Sequence, residues 1–102
     1  MHKYKVELLA SAWENLDEIA DIHMNLVGNK SAQKITDKIL NTIELLEDNP
    51  YLGVVPKYSV IADQGYRMLI CGNYLCFYKV GADIIEIYHI ADGRRDYPSL
   101  FY

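Results

Sequence analysis

Polar and apolar residues alternate along Lys3-Tyr4-Lys5-Val6-Glu7-Leu8-Leu9, the pattern of a half-buried strand. The period then changes. Ser11-Ala12-Trp13-Glu14 has the form of a capping box, with Ser11 at the N-cap and Glu14 at N3. Trp13, Leu16, Ile19/Ala20, His23/Met24 and Val27 follow at helical spacing, and Gly28-Asn29 supplies a stop. Ser31 restarts the helical pattern. Ile35, Ile39, Thr42/Ile43 and Leu46 form one apolar stripe, which Asn49-Pro50 ends. Two helices joined by about three residues predict an antiparallel hairpin.

Residues 51–65 contain Gly53, Pro56 and Gly65, have no clear period and read as a loop. Three strands follow: Tyr66 to Cys71, Tyr74 to Val80 and Ile84 to Ala91, separated by Gly72-Asn73 and Gly81-Ala82-Asp83. Gly-Asn is a strong two-residue hairpin signal. The order β-α-α-β-β-β predicts an α+β domain spanning 1–102, with the two-helix hairpin packed on one face of an antiparallel sheet.

Hairpin register sorts the side chains. A two-residue loop at Gly72-Asn73 sets Cys71 opposite Tyr74 and Arg67 opposite Tyr78, and a loop at 81–83 sets Tyr78 opposite Glu86. One face then carries Met68, Ile70, Leu75, Phe77, Ile85 and Ile87, apolar enough to lie under the helices. The other carries Arg67, Tyr74, Cys76, Tyr78, Glu86 and Tyr88. Arg67, Tyr78 and Glu86 in one row also fit a cross-strand ion pair on a solvated surface. Beyond the last strand, Asp92-Gly93-Arg94-Arg95-Asp96-Tyr97 adds two guanidiniums whose planar forks suit phosphate or carboxylate. With them the second face becomes a candidate anion or partner site: Arg67 and Tyr78 as its floor, Arg94 and Arg95 as its wall.

Composition narrows the chemistry. The chain is 51% hydrophobic and 24% charged, and no apolar run approaches the roughly 20 residues that span a bilayer. The N-terminus lacks a signal-peptide core, so a cytoplasmic location without membrane partners is expected. Cys71 and Cys76 have no His or Cys neighbours at metal spacing, and reduced, packed thiols are expected, with no metal or cofactor. Net charge is −4, yet the acidity is local: residues 11–48 hold eight acids against three lysines, and residues 49–102 hold five of each. A cationic site in the second half is therefore compatible with the acidic total. His89 falls on the apolar face as a packing residue, His23 lies near the helical stripe and His2 near the terminus. Lys57-Tyr58 in the loop fits a substrate contact or, more commonly, a solvated lysine, and Tyr97 and Tyr102 fit either a site or the packing of the tail.

The element order, the helix ending Leu45-Leu46-Glu47-Asp48-Asn49-Pro50-Tyr51-Leu52-Gly53, the Tyr66-Arg67 strand start, Asn73-Tyr74-Leu75-Cys76-Phe77-Tyr78 and the closing Gly93-Arg94-Arg95-Asp96-Tyr97 together resemble the RelE/ParE superfamily of bacterial toxin–antitoxin modules. The resemblance covers nearly the whole chain. It implies a growth-arresting toxin neutralised by a cognate antitoxin encoded beside it, with operator DNA contacted only through that antitoxin.

The RelE-like branch cleaves mRNA at the ribosome, which requires a base for the 2′-hydroxyl and cations for the charged phosphorane. In that branch Arg67 and Arg95 would hold the phosphate, with Lys57 or Tyr97 assisting proton transfer. Its loop lysines have one counterpart here, Lys57, and its C-terminal tyrosine aligns with the neighbourhood of Phe101. The ParE-like branch poisons DNA gyrase without catalytic residues, and Gly-Arg-Arg-Asp would then belong to a protein-binding surface. The acidic pI of 5.2 departs from the strongly basic ribosome-binding members. It also suits a third reading, an inactive relative that keeps only antitoxin or operator binding.

Overall fold

The computed structural model describes residues 3–102; His2 lies outside them. The chain runs β1 (Lys5–Leu8), α1 (Ala10–Leu26), α2 (Asn29–Glu44), a 3-10 turn (Leu45–Glu47), α3 (Ser59–Ala62), β2 (Arg67–Cys71), β3 (Tyr74–Val80), β4 (Ile84–Asp92) and a 3-10 tail (Tyr97–Phe101). The expected α+β order is present, with α3 as an added single turn inside the segment read as loop.

The sheet order is β1-β4-β3-β2. The Gly72-Asn73 hairpin has the expected register, with Arg67 opposite Tyr78 and Cys71 opposite Tyr74. One departure from a wholly antiparallel sheet is β1, which pairs with β4 in parallel, Lys5 with Ile84 through Leu8 with Ile87.

The β3–β4 register differs from expectation by one residue. Val80 pairs with Ile85, so the turn takes four residues, closed by a Gly81 N–H to Ile84 carbonyl bond of 2.8 Å. Tyr78 faces Ile87, and Glu86 faces Lys79 instead. Between Phe77/His89 and Tyr78/Ile87 the register shifts again, leaving Tyr88 as a bulge residue. A one-residue slip moves a strand's side chains to the opposite face, and here it acts on residues 84–87; the bulge at Tyr88 returns His89 and Ile90 to their expected faces. Ile85 and Ile87 therefore join Ile90, Leu69, Cys71, Tyr74, Cys76 and Tyr78, and this is the face the helices cover, through Ala12, Leu16, Ile19, Ile39, Ile43 and Leu46. The tyrosine face expected to be open is the main core. The opposite face has its own small core of Ile61, Tyr66, Leu75, Phe77, Ala91 and Phe101, supplied by α3 and the tail.

Helix α1 starts two residues earlier than its capping-box motif suggests, at Ala10 with Leu9 as the N-cap. Ser11 is inside the first turn and its hydroxyl donates to the Tyr88 carbonyl. One turn later the Asn15 Oδ1 accepts the Ile90 N–H at 3.0 Å. The reason is the shortness of β1: it ends opposite Ile87, so the next backbone groups of β4 have no strand partner. A polar pair from α1 satisfies them. That docking fixes the rotation of α1, burying Ala12, Leu16 and Ile19 and turning Trp13 outward.

Candidate functional site

Arg67 and Tyr78 form no open floor. Tyr78 is fully buried, and its hydroxyl donates to the Pro50 carbonyl and accepts the Gly53 N–H, both at 2.9 Å. The facing Arg67 donates through Nη2 to the carbonyls of Gly53 (2.6 Å) and Tyr51 (3.2 Å), and its guanidinium lies over the Tyr51 ring. Its Nε is buried with no partner among the described residues. Val54 adds a two-way backbone bridge to Met68. The sheet end thus grips residues 50–54. Gly53 is required there, since a Cβ would lie 2.7 Å from the Tyr78 hydroxyl and 2.8 Å from the Met68 carbonyl.

Arg94 and Arg95 sit at the other end of the sheet. The row Arg67–Tyr78–Ile87 is separated from the row Cys71–Tyr74–Asp92 by four residues along β2, about 13 Å of strand. The expected single site is therefore split. Arg94 is folded back on Asp92 as a fork, Nε to Oδ1 at 3.0 Å and Nη2 to Oδ2 at 2.8 Å, with its own N–H on Oδ1 at 2.9 Å. This pairing holds the Asp92 carboxyl down at about 2. Because that pKa is lower folded than unfolded, the pair stabilises the fold above the ordinary 3.8 and its contribution disappears as pH falls through about 2. Screening at the exposed arginine keeps the gain small. Asp92→Asn is expected to flatten the acid limb of stability; urea midpoints compared at about pH 5 and about pH 2 would read it, and identical wild-type and variant slopes would count against the pair.

Arg95 is exposed and makes no side-chain hydrogen bond or ion pair among the described residues. It borders two hollows, one of about 290 Å³ with His23, Leu26, Val27 and Tyr74, the other of about 240 Å³ with Asn15, Ile22 and Leu100. Tyr74 is buried, with its hydroxyl 3.0 Å from His23 Nε2, while His23 Nδ1 lies 3.1 Å from the Ser31 hydroxyl. Burial raises the Tyr74 pKa, Asp92 adds to the rise, and Arg94 and Arg95 oppose it. Tyr74 is thus a neutral link between the helical hairpin and β3. It is not a ligand on an open face.

Lys57, Arg94 and Tyr97 do come together, around a hollow of about 470 Å³. The Lys57 ammonium lies over the Tyr58 ring, Tyr58 packs edge-on against Tyr97, and Tyr97 against Phe77. Glu86 lies away from these cations, between Glu7 on β1 and Lys79 on β3. Tyr88 packs against Tyr66, with the Lys79 ammonium over both rings. His89 is lodged between Tyr66 and Phe101, and burial lowers its pKa. Cys71 and Cys76 are free and buried, and desolvation pushes the Cys76 thiol up to about 12. Among the described residues no three His, Cys, Asp or Glu side chains gather to hold a metal, and no helix is long and apolar enough to cross a membrane.

The tail answers which surface is open. Phe101 packs at 4.9 Å from the Phe77 ring and 5.0 Å from Tyr66, and Gln64 donates to its carbonyl at 3.0 Å. Residues 97–101 therefore cover the sheet face opposite the helices. What sequence reasoning passed over is Tyr51-Leu52-Gly53-Val54-Val55, an apolar run without period. Its signal was hydrophobicity in a segment that had no element to bury it.

The fold is that of toxin–antitoxin proteins of the RelE/ParE superfamily. A chain of the "Chromosomal ParDE TA system from P. aeruginosa" superposes with TM-score 0.76 at 22% identity, covering 90% of this chain and 98% of that one. A chain of the toxin–antitoxin complex RelBE2 from Mycobacterium tuberculosis superposes with TM-score 0.66 at 14% identity, covering 88% and 98%. No curated protein matches by sequence. The model of the family "ParE toxin of type II toxin-antitoxin system, parDE" matches residues 6–97, and the chain belongs to that family.

Proposed function

We propose that this toxin is held in check by a cognate antitoxin in the cytoplasm and, once released, arrests growth by binding DNA gyrase, without cutting mRNA. The observation that carries this reading is the commitment of its cations. RNA cleavage through a 2′-hydroxyl needs a base and cationic groups converging on one phosphate. Arg67 is spent on the carbonyls of Tyr51 and Gly53, Arg94 on the Asp92 carboxylate, and Arg95 lies a sheet-length from Arg67. Membership of the ParE family and an acidic total charge support the same reading.

One observation favours the nuclease alternative, the meeting of Lys57, Arg94 and Tyr97 around one hollow. Inducing the chain without antitoxin separates the readings. The expected result is growth arrest, gyrase-linked DNA breaks and intact mRNA, with a resistant gyrase restoring growth. Mapped mRNA cleavage with intact chromosomes would replace the gyrase reading by the nuclease, and absence of arrest would leave only antitoxin or operator binding.

A further inference from the structure

The segment after the second helix combines two properties that rarely occur together. It is pinned, and it is apolar outward. Residues 50–54 are held by both hydrogen bonds of the Tyr78 hydroxyl, two from Arg67 and the Val54–Met68 bridge. Yet Tyr51 is 63% exposed, Leu52 49%, Val54 50% and Val55 62%. Apolar loop residues are usually tucked under the chain; here the sheet fixes the backbone so that they stand outward. A contiguous apolar patch on a soluble chain marks an interaction site, and a backbone fixed in advance lowers the ordering cost of binding.

The charged side chains lining the hollows beside this ridge are all cations. The hollow on one side is lined by Lys57 and by Arg94, whose charge Asp92 already answers, the hollow on the other by Arg67, and no Asp or Glu lines either. Lys57 and Arg67 make no ion pair among the described residues, so their charge is uncompensated although the chain as a whole is −4. A rigid apolar crest between cationic flanks is complementary to a protein segment of apolar side chains bordered by carboxylates. Phosphates alone would leave Leu52, Val54 and Val55 without a counterpart.

We propose that Tyr51–Val55 is the surface by which the toxin grips its target protein, and that it receives an apolar segment flanked by Asp or Glu. The assignment rests on the gyrase reading only for the identity of the target. The test compares wild type, Val54→Asp/Val55→Asp and Lys57→Glu for thermal melting, growth arrest, mapped mRNA ends and binding to purified gyrase. Val54 is held through its backbone and Val55 is largely exposed, so the double variant is expected to melt close to wild type; if it does not fold, Val55→Asp alone replaces it.

The expected outcome is loss of arrest and at least about 30-fold weaker gyrase binding in the double variant, as for a central interface residue. Lys57→Glu should weaken binding less and reduce its salt dependence. Undiminished arrest and gyrase affinity in the folded double variant would overturn the ridge while leaving the gyrase reading intact. If wild type does not bind gyrase, that reading fails by itself. The ridge then survives if the folded variant loses arrest while mRNA stays whole in both. It falls if arrest persists, or if arrest and mRNA cleavage are lost together, which would assign the surface to RNA.

Discussion

Replacing Tyr78 by alanine is expected to cost about 3–5 kcal/mol, a large share of the 5–15 kcal/mol that typically holds a domain together. Tyr78 is the largest of the fully buried side chains, set in the core between the sheet and the helical hairpin. Its removal opens a cavity and also strands the Pro50 carbonyl and Gly53 N–H. The two effects can be separated. Tyr78→Phe keeps the packing and removes only the hydroxyl, which should cost about 1–3 kcal/mol, the range for leaving buried polar groups unpaired. Urea denaturation of the three chains tests this: a Phe variant as stable as wild type would mean that the hydroxyl does not hold the 50–54 segment. Because that segment carries the apolar ridge, the Phe variant should also bind its target more weakly than its stability alone explains.

The second large effect is expected at Arg67. Arg67→Ala removes two charge-assisted hydrogen bonds to backbone carbonyls and the stacking over Tyr51, a loss of roughly 2–3 kcal/mol. Arg67→Lys should recover less than half of it, because an ammonium has no flat face to lay over the Tyr51 ring while it reaches the two carbonyls that Nη2 serves. A phosphate ligand behaves differently: lysine there preserves the charge, and the fold does not depend on it. An Arg67→Lys chain with wild-type stability and abolished arrest would thus return Arg67 to anion binding and remove it from the loop anchor.

Much of the fold could be read from the chain, for reasons that also explain what could not. The α2 stripe and the Gly72-Asn73 register are local: each depends on residues within a turn or a two-residue loop. The β4 register is not local. It turns on whether Val80 closes with Ile84 or Ile85, and nothing in Gly81-Ala82-Asp83 distinguishes the two. That single residue inverted the faces and made Tyr74 and Tyr78 look like a site when they are core. Trp13 was misplaced because the rotation of α1 is set by Ser11 and Asn15 docking on β4, more than seventy residues away in sequence. Arg94 and Arg95 are both exposed, but Asp92, two positions back, decides whether the charge of Arg94 is available.

The parallel pairing of β1 with β4 has a consequence for when this protein can exist. The first strand's backbone partners are residues 84–87, so β1 has no place in a sheet until the last strand has been made. Synthesis proceeds from the N-terminus at roughly 5–20 residues per second, and α1 and α2 can form their hairpin well before then. The sheet they must cover, including the Tyr78 and Arg67 anchors that shape the outward crest, closes only when Ile84–Asp92 has left the ribosome. Non-local pairing of this kind is slow to form. Until residues 84–92 have emerged a growing chain therefore lacks the closed sheet, and the antitoxin meets its fully formed partner only from that point on.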